Sequence, residues 1–203
     1  VSVSTDEDTP MYLVFPSVAT EGVDAIADVD LNEVGGSGLI QVTLTAQHGA
    51  LSVSTDYGLS VGDFVNGTSG ASVTFTGFLA DVNATLAAAD GVQYTPDANF
   101  NGVGTNADTV MVHVDDLGNT DANAGTQNAN RMTDEGTILV NVAAVNDPPV
   151  LTVDPLVLDV DEDTDLPLDV QVVDVDAAEN TGEVQMTLEA IFGTITVDAS
   201  IAD

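Results

Sequence analysis

The chain has no cysteine, no tryptophan and no lysine, and Arg131 is its one basic residue against 34 aspartates and glutamates in 203 positions. Each absence removes a class of chemistry. Without cysteine there is no disulfide framework, no thiolate zinc site and no thiol nucleophile. Without lysine, no lysine-to-asparagine isopeptide bond can staple the fold. Without tryptophan, and with only six Phe and three Tyr, the aromatic platforms that usually accompany the paired carboxylates of a glycoside-hydrolysing cleft are scarce. A formal net charge of −33 repels nucleic acid and anionic lipid headgroups and leaves cations as natural partners. No run of 18 apolar residues and no charged-then-apolar leader occurs, so the stretch is expected neither to span a membrane nor to carry its own export signal. It reads as an internal piece of a longer chain.

What is present is apolar and periodic. With 44% hydrophobic residues the chain is too apolar for an acidic disordered segment. Its length supports one sizeable domain plus a remainder, or two modest ones. Runs rich in Val, Thr, Ile and Leu with period-two alternation predict strands at Leu39–Thr45, Ala50–Ser54, Ser72–Thr76, Thr109–Val114 and Thr137–Val145. Gly, Asn, Asp, Ser and Pro clusters separate them as turns. One stretch has a helical period: Leu79, Val82, Asn83 and Leu86 fall at i, i+3, i+4 and i+7, with Gly91 as a stop.

The chain also repeats itself. Asp6-Glu7-Asp8-Thr9 returns as Asp161-Glu162-Asp163-Thr164, Asp28-Val29-Asp30 as Asp174-Val175-Asp176, and Val42-Thr43-Leu44-Thr45-Ala46 as Met186-Thr187-Leu188-Glu189-Ala190. The offset shortens along the copy, which predicts loop insertions in the first. Between the copies, Asn146-Asp147-Pro148-Pro149 fixes an extended, stiff connection, because proline cannot donate to a sheet and holds φ near −65°. This predicts a domain over residues 1–148 and the start of a second over 149–203.

Alternate residues of an extended strand share a face, so Asp28 with Asp30, and Asp174 with Asp176, aim like charges at one spot. A cation relieves such crowding. Hard oxygen donors on short side chains suit Ca²⁺, which takes six to eight oxygens in flexible geometry. Singly, each acidic group also reads as a solvated turn; recurrence at matching places favours the cation.

Four segments together resemble the cadherin-like, Ig-like tandem repeats of very large bacterial surface adhesins. They are the Asp-Glu-Asp-Thr opening, the Asp-x-Asp pair, Val112-His113-Val114-Asp115-Asp116-Leu117-Gly118-Asn119, and the Asn146-Asp147-Pro148-Pro149 linker. The likeness covers residues 1–148 well and 151–203 in part. It implies an all-β fold: an antiparallel, Greek-key β-sandwich with one short helix, repeated in tandem, with calcium where one repeat meets the next. By the same resemblance, Glu7, Asp115, Asp116, Asn146, Asp147, Asp174 and Asp176 share the junction ions. Glu162 serves the following junction, and Asp28 and Asp30 the preceding one. The acidic pair that animal cadherins place before their penultimate strand has no clear counterpart. The function implied is that of a non-catalytic, calcium-stiffened spacer in a secreted protein of the bacterial cell surface, serving adhesion or biofilm. Its partners would be adjacent repeats and, through other domains, other cells or surfaces.

Other motifs carry less. Asp97-x-Asn99-x-Asn101-Gly102, with Asp108 further on, spaces oxygens like an EF-hand loop, but its flanks read as strands and the twelfth position is Asp rather than the bidentate Glu. In the adhesin-like repeats this segment is a structural turn with Phe100 anchored inward. It and Asp121–Gly125 are read as surface turns. Gly35-Gly36-Ser37-Gly38 occurs once, which excludes a calcium β-roll array. His48, which is Phe192 in the second copy, and His113 lack the positioned partner that acid–base catalysis needs, so no enzyme is expected. Two rivals remain: a module binding polysaccharide, ice or a protein, favoured by an exposed aromatic or a flat Thr-rich face, and a filament subunit that exchanges strands at an open sheet edge.

Overall fold

Alternation of side chains determines the strands that form. In the computed structural model, which describes residues 1–15, 26–28, 37–118, 131–154, 159–177 and 182–197, β3 (Leu39–Ala46) buries Ile40, Val42, Leu44 and Ala46. It turns Gln41, Thr43 and Thr45 outward. The other strands are β1 (Ser2–Asp6), β2 (Met11–Tyr12), β4 (Gly49–Val53), β5 (Ser69–Gly70), β6 (Ser72–Phe78), β7 (Val92–Pro96), β8 (Asp108–Asp115), β9 (Thr133–Ala143), β10 (Val150–Asp154) and β11 (Asp169–Val173). All five predicted strands are found, with ends shifted by a few residues.

The chain divides into two units, Val1–Val145 and Asn146–Asp203. The first carries a five-stranded sheet in the order β1-β9-β8-β3-β6 and a four-stranded sheet in the order β2-β7-β4-β5. Pairings are antiparallel except that β1 runs parallel to β9. Val42, Leu44, Phe75, Val110 and Val140 of the first sheet and Leu51, Val53, Val92 and Tyr94 of the second belong to one buried cluster. Each such side chain contributes roughly 1.5–3 kcal/mol on burial.

The helical period is realised as α1 (Leu79–Ala87), which buries Val82, Asn83, Thr85 and Leu86. The Ala88 N–H closes it on Ala84 and Thr85 carbonyls, and a Cβ at Gly91 would lie 1.8 Å from the Thr85 carbonyl oxygen. Only glycine fits this close return of the chain.

In the second unit β10 and β11 pair antiparallel. The repeated Asp-Glu-Asp-Thr turn keeps one conformation in both copies: Asp8 has φ 55° and its counterpart Asp163 φ 59°. Among the described residues no helix is long and apolar enough to cross a membrane. Asp30 and the Asp121–Gly125 segment lie outside the described residues.

Candidate cation sites

The parallel pairing of β1 with β9 carries Glu7 to the end of the sheet where the first unit finishes. Asp6 lies opposite Ala143, and the Glu7 N–H donates to the Ala143 carbonyl at 2.9 Å. The side chain turns back into the protein. It is only 2% exposed, its Oε1 accepts the Val145 N–H at 2.6 Å, and its Oε2 is buried without a hydrogen-bond partner. A buried carboxylate oxygen with no donor is costly unless a cation compensates it. The lone oxygen therefore fits the donor set that calcium requires, as an anionic ligand held by the last residue before the linker.

Asp115 and Asp116 are not brought to Glu7. β8 runs antiparallel to β9, with Asp108 opposite Val140 and Asp115 opposite Thr133. Ala143 and Thr133 are at opposite ends of β9, about 33 Å apart at roughly 3.3 Å per residue. Asp115 is also engaged already. Its Oδ1 accepts from Arg131 Nε at 2.9 Å and from the Leu117 N–H at 2.8 Å, and its Oδ2 accepts from Arg131 Nη2. The Arg131 guanidinium holds the Asp115 carboxyl below the usual range, against the raising effect of burial. The single arginine of the chain thus neutralises Asp115. Asp116 accepts the Gly118 and Met132 N–H groups, each at 2.8 Å, tying the exit of β8 to the entry of β9.

The register regroups Asp116 with Asp28 instead. Both line a cleft of about 390 Å³ together with Asp134 and with Ile26, Ile40 and Val114. Asn83 on α1 positions this segment: its Oδ1 accepts the Ile26 N–H at 2.9 Å and its Nδ2 donates to the Ile26 carbonyl at 2.8 Å. Two contributors, Asp134 beside Glu135 and the clamp at Asn83, belong to no segment that the internal repeat marks.

In the second unit, three of the expected residues come together. Asp176 is 7% exposed and accepts the Asp147 N–H at Oδ2, and its own N–H donates to Asp174 Oδ1 at 3.1 Å. Asn146 is exposed, its Nδ2 donating to the Asp147 carbonyl at 3.1 Å, and Glu162 is exposed. Among the described residues, no three His, Cys, Asp or Glu side chains gather as a ready-made metal cluster. Backbone carbonyls, amide side chains and water would have to supply the remaining oxygens that calcium takes.

One acid that the sequence places only in an EF-hand-like spacing is buried in the core instead. Asp108 is fully buried, with Oδ1 accepting the His48 and Thr109 N–H groups at 3.0 and 2.6 Å and Oδ2 accepting the Tyr94 hydroxyl at 2.6 Å. Burial, and then this hydrogen bond, push the Tyr94 hydroxyl far above its ordinary range. His48 stacks on Phe100 at 4.3 Å between ring centroids. These contacts join the β3–β4 turn to the start of β8, a structural role.

Among the described residues the chain is mostly β, with antiparallel sheets and one α-helix. No family model, curated protein or solved structure matches it.

Proposed function

We propose that the chain is a non-catalytic, calcium-rigidified spacer repeat, built as an antiparallel β-sandwich with cadherin-like, Greek-key connections, from a secreted bacterial adhesin displayed on the cell surface. The observation that carries this reading is Glu7: a buried carboxylate with one oxygen on the Val145 N–H and the other lacking a donor. A cation held there stiffens the chain where it leaves the first unit. One held by Asp174 and Asp176 beside Asp147 does the same where it enters the second. Neighbouring repeats are then the direct partners, and other domains of the longer protein meet cells or surfaces. The test is thermal unfolding in excess calcium and in chelator. A fall in melting temperature on chelation, restored by calcium and not by sodium of equal ionic strength, is the expected result, because a ligand that binds only the folded form stabilises it by mass action. Equal curves would refute the calcium part.

A second reading has one observation in its favour. The outward residues of β3 and β6 form a ladder of uncharged pairs: Thr43 with Thr74 and Thr45 with Ser72, each at 2.9 Å, and Gln41 with Thr76 at 3.3 Å. In so acidic a chain this polar, charge-free strip suits a neutral polyhydroxyl ligand such as a polysaccharide. A glycan array on which the chain binds nothing would dismiss it.

A further inference from the structure

The uncharged ladder on β3 and β6 does not end at Gln41 and Thr76. Along β6, Phe78 follows Ser72, Thr74 and Thr76 at period two, so it faces outward with them, opposite Leu39 of β3. Phe78 is 58% exposed, whereas Phe64, Phe75 and Tyr94 are buried in the core. The rows from Thr45–Ser72 to Leu39–Phe78 form a strip without a charged residue, about 20 Å long at roughly 3.3 Å per residue. On one side runs β8, with Met111, His113 and the arginine-paired Asp115 in register with Thr45, Thr43 and Gln41. On the other, β6 is the last strand of its sheet, yet its edge is occupied: Phe64 bridges Phe75, and the Val65 N–H donates to the Thr74 carbonyl at 3.0 Å. A partner strand therefore finds no open edge along that stretch. At its Phe78 end the strip opens into a cleft of about 450 Å³ whose lining includes Thr76, Phe78, Asp63 and Asp81. A Cβ at Gly58 would run into the Asp81 carboxylate and one at Gly77 into the Leu59 side chain, so the cleft wall at both positions is bare backbone.

We propose that this cleft is the anchoring subsite for a neutral polysaccharide, with Phe78 as the platform for one sugar ring and the Thr and Gln side chains of the strip meeting the units that follow. It rests on the polysaccharide reading given above and locates the anchor of that ligand. A sugar ring is apolar on its C–H faces and polar around its rim, so it takes a flat exposed apolar surface flanked by hydrogen-bonding groups. Phe78 supplies the surface. Thr76 and the carboxylates of Asp63 and Asp81 supply the groups, the carboxylates as acceptors for sugar hydroxyls. Those same carboxylates, in a chain of net charge −33, repel a uronic-acid or sulfated polymer. The ligand class is thereby narrowed to uncharged sugars.

The experiment presents the full 203-residue chain to an array of neutral hexose oligomers and uronic-acid oligomers, then titrates the neutral oligomer that binds best in a calorimeter. Beside the wild type stand Phe78→Ala, Phe78→Tyr, a Thr43→Val/Thr74→Val double variant, and Tyr12→Ala at an exposed aromatic of the other sheet. All these positions lie at the surface, so melting temperatures should stay close to that of the wild type. Neutral oligomers bind and uronic-acid oligomers do not. Phe78→Ala weakens the dissociation constant roughly five- to tenfold, the size of a lost aromatic contact, Phe78→Tyr restores it, and Tyr12→Ala leaves it unchanged. Binding that is weakened in the double threonine variant but untouched by Phe78→Ala would overturn the anchoring subsite while the polysaccharide reading of the strip stands. Equal binding of uronic-acid oligomers would overturn the assignment to uncharged sugars, and an array without any bound oligomer would overturn both the subsite and that reading.

Discussion

The Glu7→Gln substitution makes a prediction whose sign depends on calcium. Glutamine preserves the Oε1 acceptor that receives the Val145 N–H and replaces a charged, unpartnered oxygen by a neutral amide. In chelator the wild-type carboxylate carries the penalty of a buried group without a donor, about 1–3 kcal/mol and more when charged. Removing the charge should therefore raise stability. With melting temperatures of domains near this size moving by about 4 °C per kcal/mol, the variant melts a few degrees above the wild type in chelator, because the charge is gone while the buried amide still lacks a partner. In calcium at about a thousand times the dissociation constant, the wild type gains about 4.1 kcal/mol that the variant cannot. The order then reverses, with the wild type melting higher. Differential scanning calorimetry of both proteins in chelator and in saturating calcium measures both differences. A variant destabilised by the same amount in both conditions would show that Glu7 is a structural acceptor and nothing more.

Three further outcomes test the fold around the sites. Arg131→Met leaves Asp115 without its guanidinium and should lower stability modestly at neutral pH, the pair being partly open to solvent with Arg131 39% exposed. Since the folded Asp115 carboxyl is held low, that difference is full above the unfolded value near 3.9 and disappears as pH falls through the lowered folded value, as urea unfolding from pH 7 to 2 would reveal. Tyr94→Phe removes the donor to Asp108 Oδ2 and should cost about 1–3 kcal/mol in urea unfolding; a neutral result would mean another group satisfies that oxygen. Gly91→Ala drives a methyl to within 1.8 Å of the Thr85 carbonyl oxygen and should cost about 2 kcal/mol or more through backbone displacement, detectable as a lower denaturation midpoint.

Local features were legible because local rules produce them. The alternation in Leu39–Ala46 and the i, i+3, i+4, i+7 spacing of Leu79, Val82, Asn83 and Leu86 set a strand that buries every second residue and a helix that buries Val82, Asn83 and Leu86, with Leu79 half-buried. The repeated Asp-Glu-Asp-Thr likewise forms the same left-handed turn in both units. Asp174 and Asp176, two residues apart, stayed together, and the β10–β11 pair brings Asp147 to them from 29 positions away.

Which acids share an end of the sheet was not legible, because that depends on strand order and direction. The sequence alone fixes that Glu7 and Asp115 are acids at strand ends. Only the parallel β1–β9 pairing and the antiparallel β8–β9 register separate them by the length of β9 and place Asp116 beside Asp28. The chain's net charge and its lack of cysteine and lysine were likewise decided by composition. That its lone arginine neutralises Asp115, and that Glu7 is buried with an oxygen to spare, was decided by the tertiary fold, since burial and pairing belong to surfaces assembled from distant segments.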